Sequence, residues 1–94
     1  MIIVRSVFQA TPGNASKLAA QLKAAAATGK LPRHRVLTDV TGAFNRVILE
    51  YEINTISEFG AQFEDYATNE AVRATLKGYT SLFATGHREL LQTA

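Results

Sequence analysis

Apolar and polar residues alternate along the first ten positions. Ile2, Val4, Ser6 and Phe8 fall on one side of an extended segment, and Ile3, Arg5, Val7 and Gln9 on the other. That period of two predicts a first strand from about Ile2 to Ala10. Thr11-Pro12-Gly13-Asn14 ends it: Pro12 has no N–H for a ladder, and Thr11 or Asn14 can cap a helix. The period then changes to that of a helix. Ala15, Leu18, Ala19, Leu22 and Ala26 form one stripe up to about Thr28, with Gly29 as a stop residue and Pro32 barring continuation. Alternation resumes over Arg33 to Thr41, a second strand, and over Asn45 to Ile53, a third. The glycine-bearing connection Thr41-Gly-Ala-Phe-Asn45 makes these two a hairpin.

Thr55-Ile-Ser-Glu58 has the spacing of a capping box and opens a second helix. Phe59, Phe63 and Tyr66 or Ala67 are placed on its buried side. Thr68-Asn69 breaks it, and Asn69 can cap a further segment carrying Val72, Leu76, Tyr79 and Phe83, weakened at Gly78. A last strand is read from about Thr85 to Thr93. The order β-α-β-β-α-β with right-handed crossovers gives an α+β, ferredoxin-like antiparallel sheet, strand order 4-1-3-2, with both helices on one face. Residues 1–94 form one such domain.

The third strand carries a further consequence. Val47, Leu49, Tyr51 and Ile53 point one way; Ile48, between Arg46 and Glu50, points the other. Two helices cover one face only. The second would carry Ile3, Val7, Ile48 and Val36 or Leu37 into water, a larger patch than most monomers expose. Isologous pairing is the commonest remedy, so a homodimer with two sheets closing into an α/β barrel is expected.

Composition narrows the function classes. Hydrophobic residues make up 47% and charged residues 19%, a globular balance. No apolar run reaches the roughly 18 residues of a membrane span, and Met1-Ile-Ile-Val-Arg5 lacks the features of a signal peptide. A cytoplasmic protein without membrane attachment is expected. Cysteine is absent, which excludes disulfides and thiolate metal sites. Two histidines, His34 and His87, are too few for a dedicated metal site. The net charge of +2 is too weak a field to argue for nucleic acid, and the basic run Lys30-Leu-Pro-Arg33-His34-Arg35 reads as a solvated loop and strand start. RNA-recognition domains share this element order, yet Thr41 to Tyr51 does not match their Lys/Arg-Gly-Phe/Tyr signature. No serine or cysteine nucleophile with a supporting base is visible.

Candidate chemistry centres on Arg5 and Glu50, on neighbouring strands and on the face assigned to the barrel interior. In the functional reading Arg5 anchors an anion or carbonyl and Glu50 accepts a proton. In the structural reading the two close the barrel as a salt bridge. His87 and Arg88 open the last strand and face opposite ways, so only one can enter a cavity. His87 suits acid–base work because its ordinary pKa lies near neutrality, and Arg88 suits substrate binding. Asp39 either binds Arg35 on its own face, caps the hairpin through its carboxylate, or contacts substrate. Tyr51 and Tyr79 read as core aromatics with bonded hydroxyls.

Several stretches also resemble a known group. Phe8-x-x-x-Pro12-Gly13 leading into a helix is similar to the opening of dimeric α/β-barrel proteins. Val36-Leu-Thr-Asp-Val-Thr-Gly42, Val47-Ile-Leu-Glu-Tyr51 and Ser81-Leu-Phe-Ala-Thr-Gly-His-Arg-Glu89 resemble the small NIPSNAP-like and antibiotic-biosynthesis-monooxygenase-like members of that superfamily. The resemblance spans nearly the whole chain and implies a homodimeric barrel of ferredoxin-like subunits. The superfamily includes cofactor-free monooxygenases, isomerases, haem-degrading enzymes and stress proteins, so it implies no single reaction. Its haem-degrading members would imply a tryptophan and a helical histidine, which this chain lacks. The reading is a homodimer that binds a small, partly polar organic molecule without a cofactor. Cofactor-independent oxygenation or isomerisation is its enzymatic form, and a non-catalytic dimer with a charged, filled interior is its alternative.

Overall fold

The computed structural model describes residues 1–94. Four strands, β1 (Ile2–Ala10), β2 (Arg35–Thr38), β3 (Arg46–Ile53) and β4 (Phe83–Gln92), form one antiparallel sheet in the order β2-β3-β1-β4. Helices α1 (Ala15–Thr28), α2 (Ile56–Thr68) and α3 (Glu70–Thr75), with a 3₁₀ turn at Tyr79–Leu82, lie on one face. The α+β ferredoxin-like order and the split of the second helix follow the sequence reading.

Register sorts the side chains into two sets. Val4 pairs with Tyr51, Ser6 with Leu49 and Phe8 with Val47 on the helix-covered face. Val36 pairs there with Leu49. Val4, Val47, Leu49 and Tyr51, with Leu18, Leu22, Ala26 and Leu31 of the α1 region, belong to the core, and Phe8 and Val36 pack against it. Ile3, Arg5 and Val7 pair with Glu52, Glu50 and Ile48 on the opposite face, and Leu37 joins Ile48 there. The slab measures 35 × 35 × 18 Å, which is one sheet and one layer of helix. The second sheet face carries no layer of its own.

Local chemistry explains where the elements end. Asn69 Oδ1 accepts the N–H groups of Ala71 and Val72 and starts α3 as a side-chain cap. Asn14 sits at the start of α1 but turns its amide to Thr11 Oγ1 at 2.7 Å, so the helix has no side-chain cap. At the far end of α1 the left-handed residue is Lys30 (φ 54°), not Gly29. Gly29 instead relieves close packing: a Cβ there would lie 3.2 Å from the Ala25 carbonyl and 3.4 Å from Val72 Cγ2. Helix α3 ends at Thr75, and Gly78 takes φ 79° at the start of the 3₁₀ turn that leads into β4 at Phe83.

Strand β2 is shorter than the Arg33–Thr41 expected. Arg33 has φ 48°, a left-handed conformation that interrupts extended pairing. Beyond Thr38, the Asp39 carboxylate takes the Arg46 N–H at 3.1 Å, so the ladder stops. The loop from Asp39 to Asn45 leaves Val40 and Phe44 almost wholly in solvent.

Helix α2 departs most from expectation. Phe59, Phe63 and Tyr66 face the sheet, yet no residue of α2 is buried, and Phe63 is 53% exposed. The helix stands off the sheet, and the space beneath it is a cavity. No helix is long and apolar enough to cross a membrane.

Candidate functional site

The sheet presents two chemically different surfaces. On the open face, Glu50 is 4% exposed and lies between two arginines. Arg5 Nε donates to its Oε2 at 2.8 Å. Arg35 donates to its Oε1 from Nε at 2.9 Å and from Nη2 at 2.6 Å. Burial alone would push the Glu50 carboxyl up. The hydrogen bonds and charges of Arg35 and Arg5 outweigh it and hold the group below the ordinary carboxylate value. Glu50 is therefore ionised at neutral pH, with both oxygens engaged. Arg5 also reaches Glu89 at 3.7 Å, and His87 Nε2 lies 3.5 Å from the other Glu89 oxygen. The result is a chain of alternating charge across the sheet, set among Ile3, Val7, Leu37, Ile48 and Leu91.

Register separates His87 from Arg88. His87 pairs with Val7 and shares the open face with Arg5 and Glu50. Arg88 pairs with Ser6 and projects to the helix side. Of the two residues read as alternatives beside Arg5 and Glu50, His87 joins them on the open face, and Arg88 lies across the sheet from them. Asp39 meets none of them. It binds the backbone and Nε of Arg46, at 3.1 and 3.0 Å, and so closes the hairpin. Arg35, its other expected partner, is held by Glu50. No cluster of three metal-ligating side chains forms.

The helix side holds a cavity of about 320 Å³ between sheet, α1, α2, α3 and the 3₁₀ turn. Eleven of its fourteen lining residues are hydrophobic. The sheet supplies Phe8, Leu49 and Tyr51; α1 supplies Leu22 and Ala25. Helix α2 supplies Phe59, Phe63, Tyr66 and Ala67. The lining residues that carry polar groups are Ser6, Tyr51, Tyr66, Tyr79, Arg73 and Arg88, and they include neither a carboxylate nor an imidazole. Arg88 Nε donates to Ser6 Oγ at 3.2 Å, and its guanidinium carbon lies 5.8 Å from the Phe59 ring and 5.3 Å from the Phe63 ring. Such packing over ring faces is attractive and favours this pose of the exposed side chain.

The Tyr66 hydroxyl is buried and has no hydrogen-bond partner. Burial first, then the neighbouring Tyr51 and Asp65, push its pKa up to about 12. Burial also raises Tyr51, partly offset by the Arg88 charge. Both phenols are neutral donors at physiological pH. The sequence pattern marked Tyr66 only as a helix residue and passed over Ser6 and Arg73. Nothing local to those positions announces that they converge, because the convergence depends on β4 register and on the height of α2 above the sheet.

Comparison with known proteins gives structural neighbours. No family model matches the chain, and no curated protein matches its sequence. An uncharacterised NIPSNAP domain protein from Burkholderia xenovorans superposes with a TM-score of 0.84 at 18% identity, over 100% of this chain and 95% of that one. A NIPSNAP family protein from Agrobacterium tumefaciens gives 0.85 at 11% identity, over 99% and 92%. A putative antibiotic biosynthesis monooxygenase from Chloroflexus aurantiacus gives 0.68 at 16% identity, over 99% and 94%. At these identities the likeness shows the fold, which is that of the NIPSNAP-domain and monooxygenase-like ferredoxin proteins.

Proposed function

From a fold shared with NIPSNAP-domain proteins of unknown function, we propose that this chain acts as a homodimer that binds a small organic molecule in the cavity under α2. One observation carries the reading. An amphipathic helix turns its aromatic side to the sheet and buries no residue, over a cavity of about 320 Å³. That volume lies at the lower end of the roughly 300–1,000 Å³ usual for ligand sites, and an apolar lining with a few polar groups is their usual character. A ligand in that space would cover the rings of Phe59 and Phe63, which the fold leaves part-exposed.

The open face supports the homodimer. Its aliphatic residues gain by being covered, and its charges are already neutralised in pairs. This matches a structural role for Arg5, Glu50 and Arg35 as a lock inside a barrel. Proton-moving chemistry by Glu50 or His87 would have to take place on that face, where both Glu50 oxygens are occupied. The cavity offers phenols and guanidinium groups but no base for abstracting a proton from carbon. Binding, rather than oxygenation or isomerisation, is the function the geometry supports best.

A thermal-shift screen of small aryl and alkyl compounds, neutral and charged, tests this. A ligand at ten times its Kd contributes about 1.4 kcal/mol, which raises the midpoint of a domain this size by roughly 5–10 °C. Ala67 lies exposed on α2 and lines the cavity, so Ala67→Trp should fill the space, keep the fold and remove the shift. Ligand-induced stabilisation that persists undiminished in Ala67→Trp would contradict binding in the cavity.

A further inference from the structure

We infer that the cavity selects an aromatic carboxylate, held by its acid group on Arg88; this deepens the binding reading above and rests on it. The first support is the distribution of charge. Of the six arginines, Arg5, Arg33, Arg35 and Arg46 are each paired with a carboxylate. All four lie on the open face or its hairpin edge. The two without a carboxylate partner, Arg73 and Arg88, both line the cavity, and no Asp or Glu lines it with them. Two exposed guanidinium groups with no carboxylate beside them give this mostly apolar space a positive potential that attracts an anion.

The second support is the pose of Arg88. Ser6 holds Nε, and the Phe59 and Phe63 rings hold the plane of the group. Its two terminal nitrogens bond no protein acceptor. That end of the fork presents paired N–H donors, the arrangement that receives both oxygens of a carboxylate. These contacts favour that orientation of the exposed Arg88 side chain before a ligand arrives, which reduces the side-chain entropy lost on binding.

The third support is the wall. Six of the eight aromatic residues, Phe8, Tyr51, Phe59, Phe63, Tyr66 and Tyr79, line this one cavity. A flat ring meets such surfaces by stacked or edge-on contact.

Calorimetric titration of the full chain with benzoate, cinnamate and 2-naphthoate, each against its neutral amide, tests the inference. Wild type should bind at least one acid tenfold or more tightly than the matching amide. Arg88→Met keeps the stem that packs on Phe59 and Phe63, and should bind acid and amide within threefold of each other. Arg88→Lys should recover only part of the preference, because an ammonium cannot form the paired contact. Retained binding of the amide by Arg88→Met shows that the variant is folded. Equal affinity for acid and amide in wild type, or an undiminished acid preference in Arg88→Met, overturns the carboxylate inference while leaving cavity binding intact. Failure of every acid and every amide overturns both.

Discussion

Replacing Glu50 by alanine lowers the unfolding free energy by about 2–3 kcal/mol, the largest effect expected of any open-face charge. The carboxylate accepts three hydrogen bonds from two arginines on the strands that flank its own. Its removal leaves two cations on neighbouring positions with no anion between them. Breaking a fully buried pair costs more, but the Arg35 side chain is 65% exposed and can regain water. The figure therefore stays at the lower end. Glu50 is also the group that ties stability to pH. Its pKa in the folded chain lies below the ordinary value of 4.5. Its contribution is thus complete above the unfolded-state value and is lost as pH falls through the folded-state value. Urea unfolding from pH 7 down to roughly 3 should show wild type losing this stability in the acid range. Glu50→Gln should start lower and follow a flatter course. A change below about 0.5 kcal/mol at pH 7 would mean that the arginines draw no stability from this carboxylate.

Ile48→Asp should convert a dimer into a folded monomer. Ile48 sits mid-strand on β3 with Val7 on one side and Leu37 on the other. Covering each large aliphatic side chain is worth roughly 1.5–3 kcal/mol, and a two-fold interface presents every one of them twice. An aspartate at its centre removes that gain in both copies and places two unpaired charges in the contact. The dimer dissociation constant should rise by at least about 100-fold, or 2.7 kcal/mol. Sedimentation velocity should give wild type a mass twice 10.2 kDa and the variant a mass of 10.2 kDa, with unchanged far-UV circular dichroism. A wild-type mass of 10.2 kDa would remove the homodimer, and a variant that keeps twice that mass would place the contact away from Ile48.

Strand alternation made most of this legible in advance. The facing of Ile3, Val7 and Ile48, the pairing of Arg5 with Glu50, and the strand order all follow from a period of two and the handedness of crossovers. The capping role of Asn69 was equally readable, since it depends on neighbours within three residues. What failed to show depends on distant geometry. Arg35 binds Glu50 rather than Asp39, because the partner of an edge residue is set by inter-strand register. Arg88, not His87, reaches the cavity because the β1–β4 register sets Arg88 opposite Ser6 and His87 opposite Val7. Helix α2 carries the pattern of a buried helix, and a pattern states direction without distance. It could not show that the helix halts above the sheet and leaves Tyr66 without an acceptor.

The most direct measurement is a ¹H–¹⁵N NMR titration of the wild-type chain with the tightest compound from the screen. Binding under α2 predicts saturable shifts gathered on Ser6, Tyr51, Phe59, Phe63, Tyr66 and Arg88, with the Arg88 Nε–H signal among those that move most. Shifts gathered instead on Ile3, Arg5, Glu50 and His87 would place the ligand on the opposite side of the sheet and contradict the cavity as the binding site.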